Sequence, residues 1–218
     1  MQQDPSLTLD QLRREYLRGG LRRRDLPEDP FALFARWLQQ AIEAGIADPT
    51  AMVLATVAAD GQPSQRIVLL KGVDVAGFVF YTNYLSRKGQ EIAGSAQVSL
   101  LFPWHMLERQ VKVTGVAARL DEAASTDYFA SRPRDSQLAA WASPQSEPLP
   151  SRAALLARLE SVKTRFGDGP VPRPPHWGGF RVQPHSIDFW QGGAHRLHDS
   201  FRYAREGTGA WQLTRVAP

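Results

Sequence analysis

The sequence predicts a mainly β chain with added helices, an α+β fold whose antiparallel sheet closes into a barrel. Between residues 51 and 120, short β-branched or aromatic runs follow one another closely, and turn residues such as Asp60-Gly61 and Asp74 to Gly77 separate them. Strand character returns after residue 177, beyond a helical middle. Strands spaced this tightly do not leave room for alternating βαβ units, so a barrel-like sheet is the expected architecture.

Taken in order, "SLTLDQLRREYLRGG" (6–20) carries leucines at 7, 9 and 12 with Tyr16 and Leu17, then a glycine stop, which predicts a short helix. Asp29 and Pro30 supply an N-cap and a proline at the first helical position. Phe31, Phe34, Trp37, Leu38, Ala41 and Ile42 then recur at helical spacing up to Gly45. Strands are expected at 51–58, 64–72, 77–83, 97–104 and 108–120, with a short helix at 86–94; in 64–72 the apolar run Ile67 to Leu70 reads as a buried strand with Arg66 and Lys71 at its ends. Helices are expected at 121–132, 135–142 and 152–166, separated by a Pro/Ser-rich loop at 143–151. The prolines of "GDGPVPRPP" (167–175) cannot continue a helix. The runs 177–191, 195–205 and 210–216 read as the final strands. They are too few for a separate core, so they are expected to complete the same barrel in one domain, 21–218, with the segment 1–20 ahead of it.

The chain has 218 residues, 43% hydrophobic and 22% charged, with a formal net charge of +4 and no cysteine. Disulfides, thiolate nucleophiles and cysteine-ligated metals are thereby excluded. The opening "MQQDPSLTLD" is polar and no apolar run is long enough to span a bilayer, so a cytoplasmic protein is expected. Basic residues are dispersed apart from "RRR" (22–24) and "RPRDS" (132–136), which predicts no nucleic-acid or membrane partner.

The densest chemistry lies in three places. In "YTNYLSRKGQE" (81–91), Tyr81, Thr82, Ser86, Arg87 and Lys88 crowd the start of a short helix, where hydroxyl donors, cations and free N–H groups favour a phosphate. In "DYFASRPRDSQLAAW" (127–141), Tyr128, Arg132 and Ser136 recur every four residues, and a helical path would align them as a second anion cradle or as a packed aromatic beside a solvated arginine. In "FWQGGAHRLHDSF" (189–201), His195 and His198 resemble a metal pair, but on a strand an i, i+3 pair points to opposite faces, so no metal is expected. Arg196 and His198 would share a face and grip an anionic or hydroxylated ligand.

These blocks, with "GGLRRRDLP", "DPFALFARWL", "QRIVLLKG", "FYTN", "SLLFPWHMLERQV", "WGGFRV" and "HRLHD", make the chain resemble the pyridoxamine 5′-phosphate oxidase family nearly end to end. The resemblance implies an FMN-binding split β-barrel with flanking helices. It also implies a homodimer with FMN at the subunit interface, and oxidation of pyridoxamine and pyridoxine 5′-phosphates by O2. FMN contacts would fall on Arg66, Ile67, Val68, Leu69, Leu70, Lys71, Tyr81, Thr82, Arg87, Lys88, Gln110, Gln145, Ser146, Trp190 and the Ser200 position. The substrate would meet Lys71, Tyr128, Arg132 and Ser136 at its phosphate, Arg196, Leu197 and His198 at its ring, and Arg13, Arg14, Glu15 and Tyr16 from the segment 1–20 acting as a lid, with Arg196 and His198 nearest the chemistry. Arg22, Arg23 and Arg215 are a candidate secondary anion site. The family pattern carries arginine where this chain has Ser200, which implies either weakened FMN binding or compensation by a basic neighbour such as Arg202. Two other classes stand beside this reading: a non-oxidase flavin or haem protein on the same barrel, and a nucleic-acid binder using 22–24.

Overall fold

The computed structural model describes residues 16, 20–207 and 209–218. Helix α1 (Pro30–Glu43) starts where its sequence signals it, with the Asp29 carboxylate accepting from the Phe31 N–H at 3.0 Å and Pro30 in the first turn. Nine strands follow among the described residues: β1 (Ala51–Val57), β2 (Pro63–Leu69), β3 (Gly72–Asp74), β4 (Gly77–Asn83), β5 (Gln97–Trp104), β6 (Arg109–Arg119), β7 (Trp177–Gln191), β8 (Asp199–Ala204) and β9 (Gln212–Val216). They make one antiparallel sheet in the order β2-β1-β5-β6-β7-β4-β3, with β8 and β9 branching from β7. Helix α2 (Arg87–Gly94) joins β4 to β5, while α3 (Glu122–Ala130), α4 (Arg134–Ala142) and α5 (Arg152–Phe166) occupy the connection from β6 to β7.

Strand β7 is the seam of this half-barrel. One of its edges pairs with β6 along almost its full length; the other is shared, with β4 on residues 177–182 and β8 on residues 186–191. The sheet divides where those two partners part. Alternation of buried and exposed positions turns one face of β1, β5, β6 and β7 toward α1. Phe34 of α1 is fully buried there, with ring centroids 4.9 Å from Phe102, 5.0 Å from Phe78 and 5.8 Å from Trp104. A smaller cluster of Phe129, Leu138, Val171 and Trp177 packs the helical middle onto the start of β7.

Two strand expectations need correction. The run 64–72 is not one buried strand: β2 ends at Leu69, Leu70 turns into the core, and Ile67 and Leu69 are exposed because β2 is a sheet edge. The run 195–205 is a strand only from Asp199. Before it, residues 194–196 form a 3-10 turn in which His195 and Arg196 both take left-handed φ values, 53° and 62°. Arg196 and His198 therefore do not share a strand face. The path 127–141 divides at Pro133 into α3 and α4, in line with the separate helices expected at 121–132 and 135–142, because proline lacks the N–H a continuous helix needs. The helix expected at 6–20 lies outside the described residues, apart from Tyr16 and Gly20. Among the described residues no helix is long and apolar enough to cross a membrane.

Phe34→Ala is expected to destabilise the protein by about 3–5 kcal/mol, through lost burial and an unfilled cavity between α1 and the sheet. Urea denaturation followed by tryptophan fluorescence reads that loss.

Candidate functional site

A cavity of about 670 Å³ opens between β2, β4, the start of α2 and the α3–α4 corner. Among the described residues five cationic side chains line it, Arg66, Lys71, Arg87, Lys88 and Arg132, and no carboxylate does. Concentrating like charges in a partly enclosed space is unfavourable without an anion, so this lining fits an anionic ligand.

At one end, Lys88 is 7% exposed and donates from Nζ to Thr82 Oγ1 (3.2 Å), Ser86 Oγ (3.2 Å) and Gln145 Oε1 (3.1 Å). Burial, reinforced by the nearby Arg66 and opposed by Glu91, brings its pKa down to about 8. Arg66 reaches across from β2, whose cross-strand partner is Leu54 of β1, and donates to the Leu54 carbonyl at 3.3 Å and to Ser64 Oγ at 2.5 Å. Glu91, behind both, pairs with Arg66 and Arg87.

At the other end, the Tyr81 and Tyr128 rings stack at 3.8 Å, Trp177 stacks on Tyr81 at 5.5 Å, and the Arg132 guanidinium lies over Trp177 at 4.6 Å. Burial raises the pKa of both Tyr81 and Tyr128, so their hydroxyls remain donors. Arg132 Nη1 is buried without a hydrogen-bond partner among the described residues, a costly state that a ligand anion in the cavity would relieve. Despite the break at Pro133, Tyr128, Arg132 and Ser136 all line the same wall. Gln145 and Ser146 complete it from the loop after α4, Ser146 with a left-handed φ of 76°.

A second cluster of predicted residues lies away from this cavity. Gln110, Trp190 and Ser200 face one another across β6, β7 and β8. Tyr16 packs edge-on against Trp190 (5.8 Å) and His198 (5.5 Å), and Trp190 lies 4.6 Å from His198. The glycine pair of "FWQGG" permits this: a Cβ on Gly192 would sit 2.9 Å from the Tyr16 side chain, and one on Gly193 2.4 Å from the Leu197 carbonyl oxygen. The Gly193 N–H donates to His198 Nδ1 at 3.1 Å, so a neutral His198 carries its proton on Nε2. Arg196 follows His195 in the strained turn, and Leu197 beside it is 77% exposed.

Trp177 belongs to the first cluster and Trp190 to the second; thirteen residue steps of one strand, roughly 40 Å, lie between them. Within one chain the two clusters do not meet. Leu70, turned into the core, does not line the cavity, whereas Ile67, Val68, Leu69 and Lys71 do. Arg202 is held by Asp188 through two bonds of 2.8 and 2.9 Å, which ties down the neighbour best placed to stand in for a cation at Ser200. Arg215 pairs with Asp199 at 2.5 Å, and its guanidinium lies over Phe201. Arg13, Arg14 and Glu15 lie outside the described residues. Among the described residues no cluster of three or more histidine or acidic side chains is arranged to hold a metal.

Sequence reasoning missed Glu91, Ser64 and Trp177. Only Glu91 left a signal, its i, i+4 spacing from Arg87.

Two family models match the chain: pyridoxamine 5′-phosphate oxidase over residues 38–166 and the pyridoxine 5′-phosphate oxidase C-terminal dimerisation region over residues 177–218. A pyridoxine/pyridoxamine 5′-phosphate oxidase of Teredinibacter turnerae is 57% identical over 97% of this chain and 100% of its own length. One of Escherichia fergusonii is 59% identical over 95% of this chain and 94% of its own. The structure of PhzG from Burkholderia lata, in complex with tetrahydrophenazine-1-carboxylic acid, superposes with a TM-score of 0.84 at 33% identity, covering 89% of this chain and 95% of that one. The chain belongs to the pyridoxamine 5′-phosphate oxidase family.

Proposed function

We propose that this protein is an FMN-dependent oxidase that converts pyridoxamine 5′-phosphate and pyridoxine 5′-phosphate to pyridoxal 5′-phosphate, with O2 as the acceptor. The observation that carries this reading is the cavity with five cations, no carboxylate and an unpartnered Arg132 Nη1 in its wall, a donor set suited to phosphate esters. The family and the names of the 57–59% identical relatives support the chemistry.

In this reading Arg66, Thr82, Arg87 and Lys88 hold the FMN phosphate, while Gln145 and Ser146 lie along the ribityl chain. Lys71, Tyr128, Arg132 and Ser136 hold the substrate phosphate. Gln110, Trp190, Arg196 and His198 come from a second copy of the chain, since roughly 40 Å of β7 separates them from the cavity in their own. The active unit is therefore a homodimer with FMN between its subunits, as the match of residues 177–218 to a dimerisation region supports. Residues 21–218 act as one domain and residues 1–20 as a lid, with Tyr16 already seated on Trp190 and His198. A cytoplasmic location suits such a metabolic enzyme.

Bound FMN would supply the redox chemistry, taking a hydride equivalent from the substrate C4′ carbon and passing the electrons to O2 to give H2O2. The chain's own residues orient, shield and move protons. Arg196 fixes the substrate ring so that C4′ faces the flavin, and the Nε2 proton of His198 lies on the edge of the ring not anchored by Gly193. Tyr16 and Trp190 exclude water from that side. The alcohol substrate also loses its hydroxyl proton, and the imine formed from the amine is hydrolysed to release ammonia.

The purified protein is expected to be yellow and to release H2O2 with pyridoxine 5′-phosphate; absence of both overturns the reading. Arg196→Ala should bind FMN normally but lose at least about tenfold in kcat/KM, on the order of 1.4 kcal/mol, which steady-state peroxide assays would read.

Lys88 makes FMN binding pH-dependent. Free Lys88 loses its proton through about pH 8, and the phosphate needs the ammonium, so above that pH binding must take up a proton. FMN affinity should hold between about pH 6.5 and 8, where the phosphate is a dianion, and then fall by up to about tenfold per pH unit. Fluorescence titration across pH 6–10 measures this, and Lys88→Arg should flatten the alkaline limb.

A further inference from the structure

Glu91 is buried on α2 directly behind the cationic end of the cavity, and it contributes nothing to the lining. Its carboxylate accepts from four side chains on three elements. Oε1 takes the Arg87 Nε–H at 2.7 Å; Oε2 takes Ser64 Oγ at 2.6 Å, Arg66 Nη2 at 3.2 Å and the Thr56 hydroxyl. Those hydrogen bonds outweigh the burial that would favour a neutral acid and bring the pKa down to about 2, so the group is an anion at any working pH.

An anion beside a phosphate site repels the ligand, so its presence needs another benefit. The Arg87 side chain is 58% exposed, and Glu91 is its ion-pair partner. Without that bond the guanidinium is a long, freely rotating surface group. Pairing through Nε leaves the two Nη groups of Arg87 out of that ion pair, on a side chain that lines the cavity. Arg66 is fixed on the same carboxylate, with Nη1 directed to Leu54 and Thr56 and Nη2 to Ser64 and Glu91. One carboxylate thus sets two guanidiniums that arrive from different elements, β2 and α2.

We propose that Glu91 is a positioning residue for phosphate recognition, holding the Arg87 guanidinium through its Nε so that its Nη groups serve the phosphate ester of the flavin cofactor, with the Arg66 cation fixed beside it. This rests on the reading of that cavity end as the cofactor-phosphate site. Fixing two arginines in advance gains more than the screened repulsion from one carboxylate loses, because charge-assisted bonds to phosphate depend steeply on geometry.

Riboflavin, which lacks the phosphate, separates positioning from general structural support. Flavin-free protein is titrated with FMN and with riboflavin, following the quenching of flavin fluorescence. The wild-type chain is expected to prefer FMN strongly. Glu91→Gln should weaken FMN binding by at least about tenfold while leaving riboflavin within about twofold. FMN affinity that is unchanged or tighter in Glu91→Gln, as pure charge repulsion requires, overturns the proposal; so does an equal loss for both ligands. A wild-type chain with no preference for FMN would instead overturn the site assignment beneath it. If Glu91→Gln does not fold, Glu91→Asp keeps the charge but draws the carboxylate back from both guanidiniums. The FMN-to-riboflavin ratio should then fall about threefold, and an unchanged ratio overturns the proposal.

Discussion

Strand β7 hydrogen-bonds to three neighbours, and that sharing sets the distances on which the rest of the site depends. Its first residues carry the Trp177 stack and the wall of the cationic cavity; its last carry Trp190 and lead into the Gly192-Gly193 turn. A strand in register with β4, β6 and β8 cannot shorten or slip without turning its core face outward. The separation of the two clusters is therefore rigid. The proposed active site follows from this: two copies, with the cavity of one closed by the Trp190–His198 cluster of the other. The exposed Ile67 and Leu69, on an edge strand bordering the cavity, suit burial under such a second copy.

Electrostatics within the cavity works against folding and for binding. Five cations share one space, Lys88 is pushed toward neutrality, and Arg132 keeps an unsatisfied N–H. In the proposed reading, a bound phosphate relieves each of these costs, so the flavin-free protein is a state that ligands stabilise by mass action. Glu91 limits the cost at one end by neutralising part of the charge, and it fixes the guanidiniums as it does so.

Much of the fold is legible in the sequence because its signals are local. Asp29-Pro30 announces α1, and the crowding of Ser86, Arg87 and Lys88 at one helix start is enough to mark the phosphate-like end of the cavity. What escapes depends on tertiary placement. "RIVLL" reads as a buried strand, yet β2 is an edge, and neighbours elsewhere in the chain decide that. "HRLHDSFRYAR" continues a strand pattern straight through a turn, because nothing in His195 or Arg196 signals a left-handed backbone; the cue is Gly192-Gly193, which allows the close approach of Tyr16 and Leu197. Tyr128, Arg132 and Ser136 reach one wall across the corner between α3 and α4, so the grouping their spacing suggests arises from two helices meeting at Pro133 rather than from one continuous face. The division of the site into two clusters is invisible in the chain alone, since family resemblance names contacts without saying which copy supplies them.

That division is tested most directly by mixing two defective variants. Arg132→Ala damages the cavity cluster and Arg196→Ala the Trp190 cluster. If each site draws one cluster from each copy, a mixed dimer holds one doubly damaged site and one intact site. Co-refolded in equal amounts, two nearly inactive proteins should recover about a quarter of the wild-type activity, the product of half mixed dimers and half intact sites. Mixed dimers that form yet remain as inactive as their parents would contradict the account.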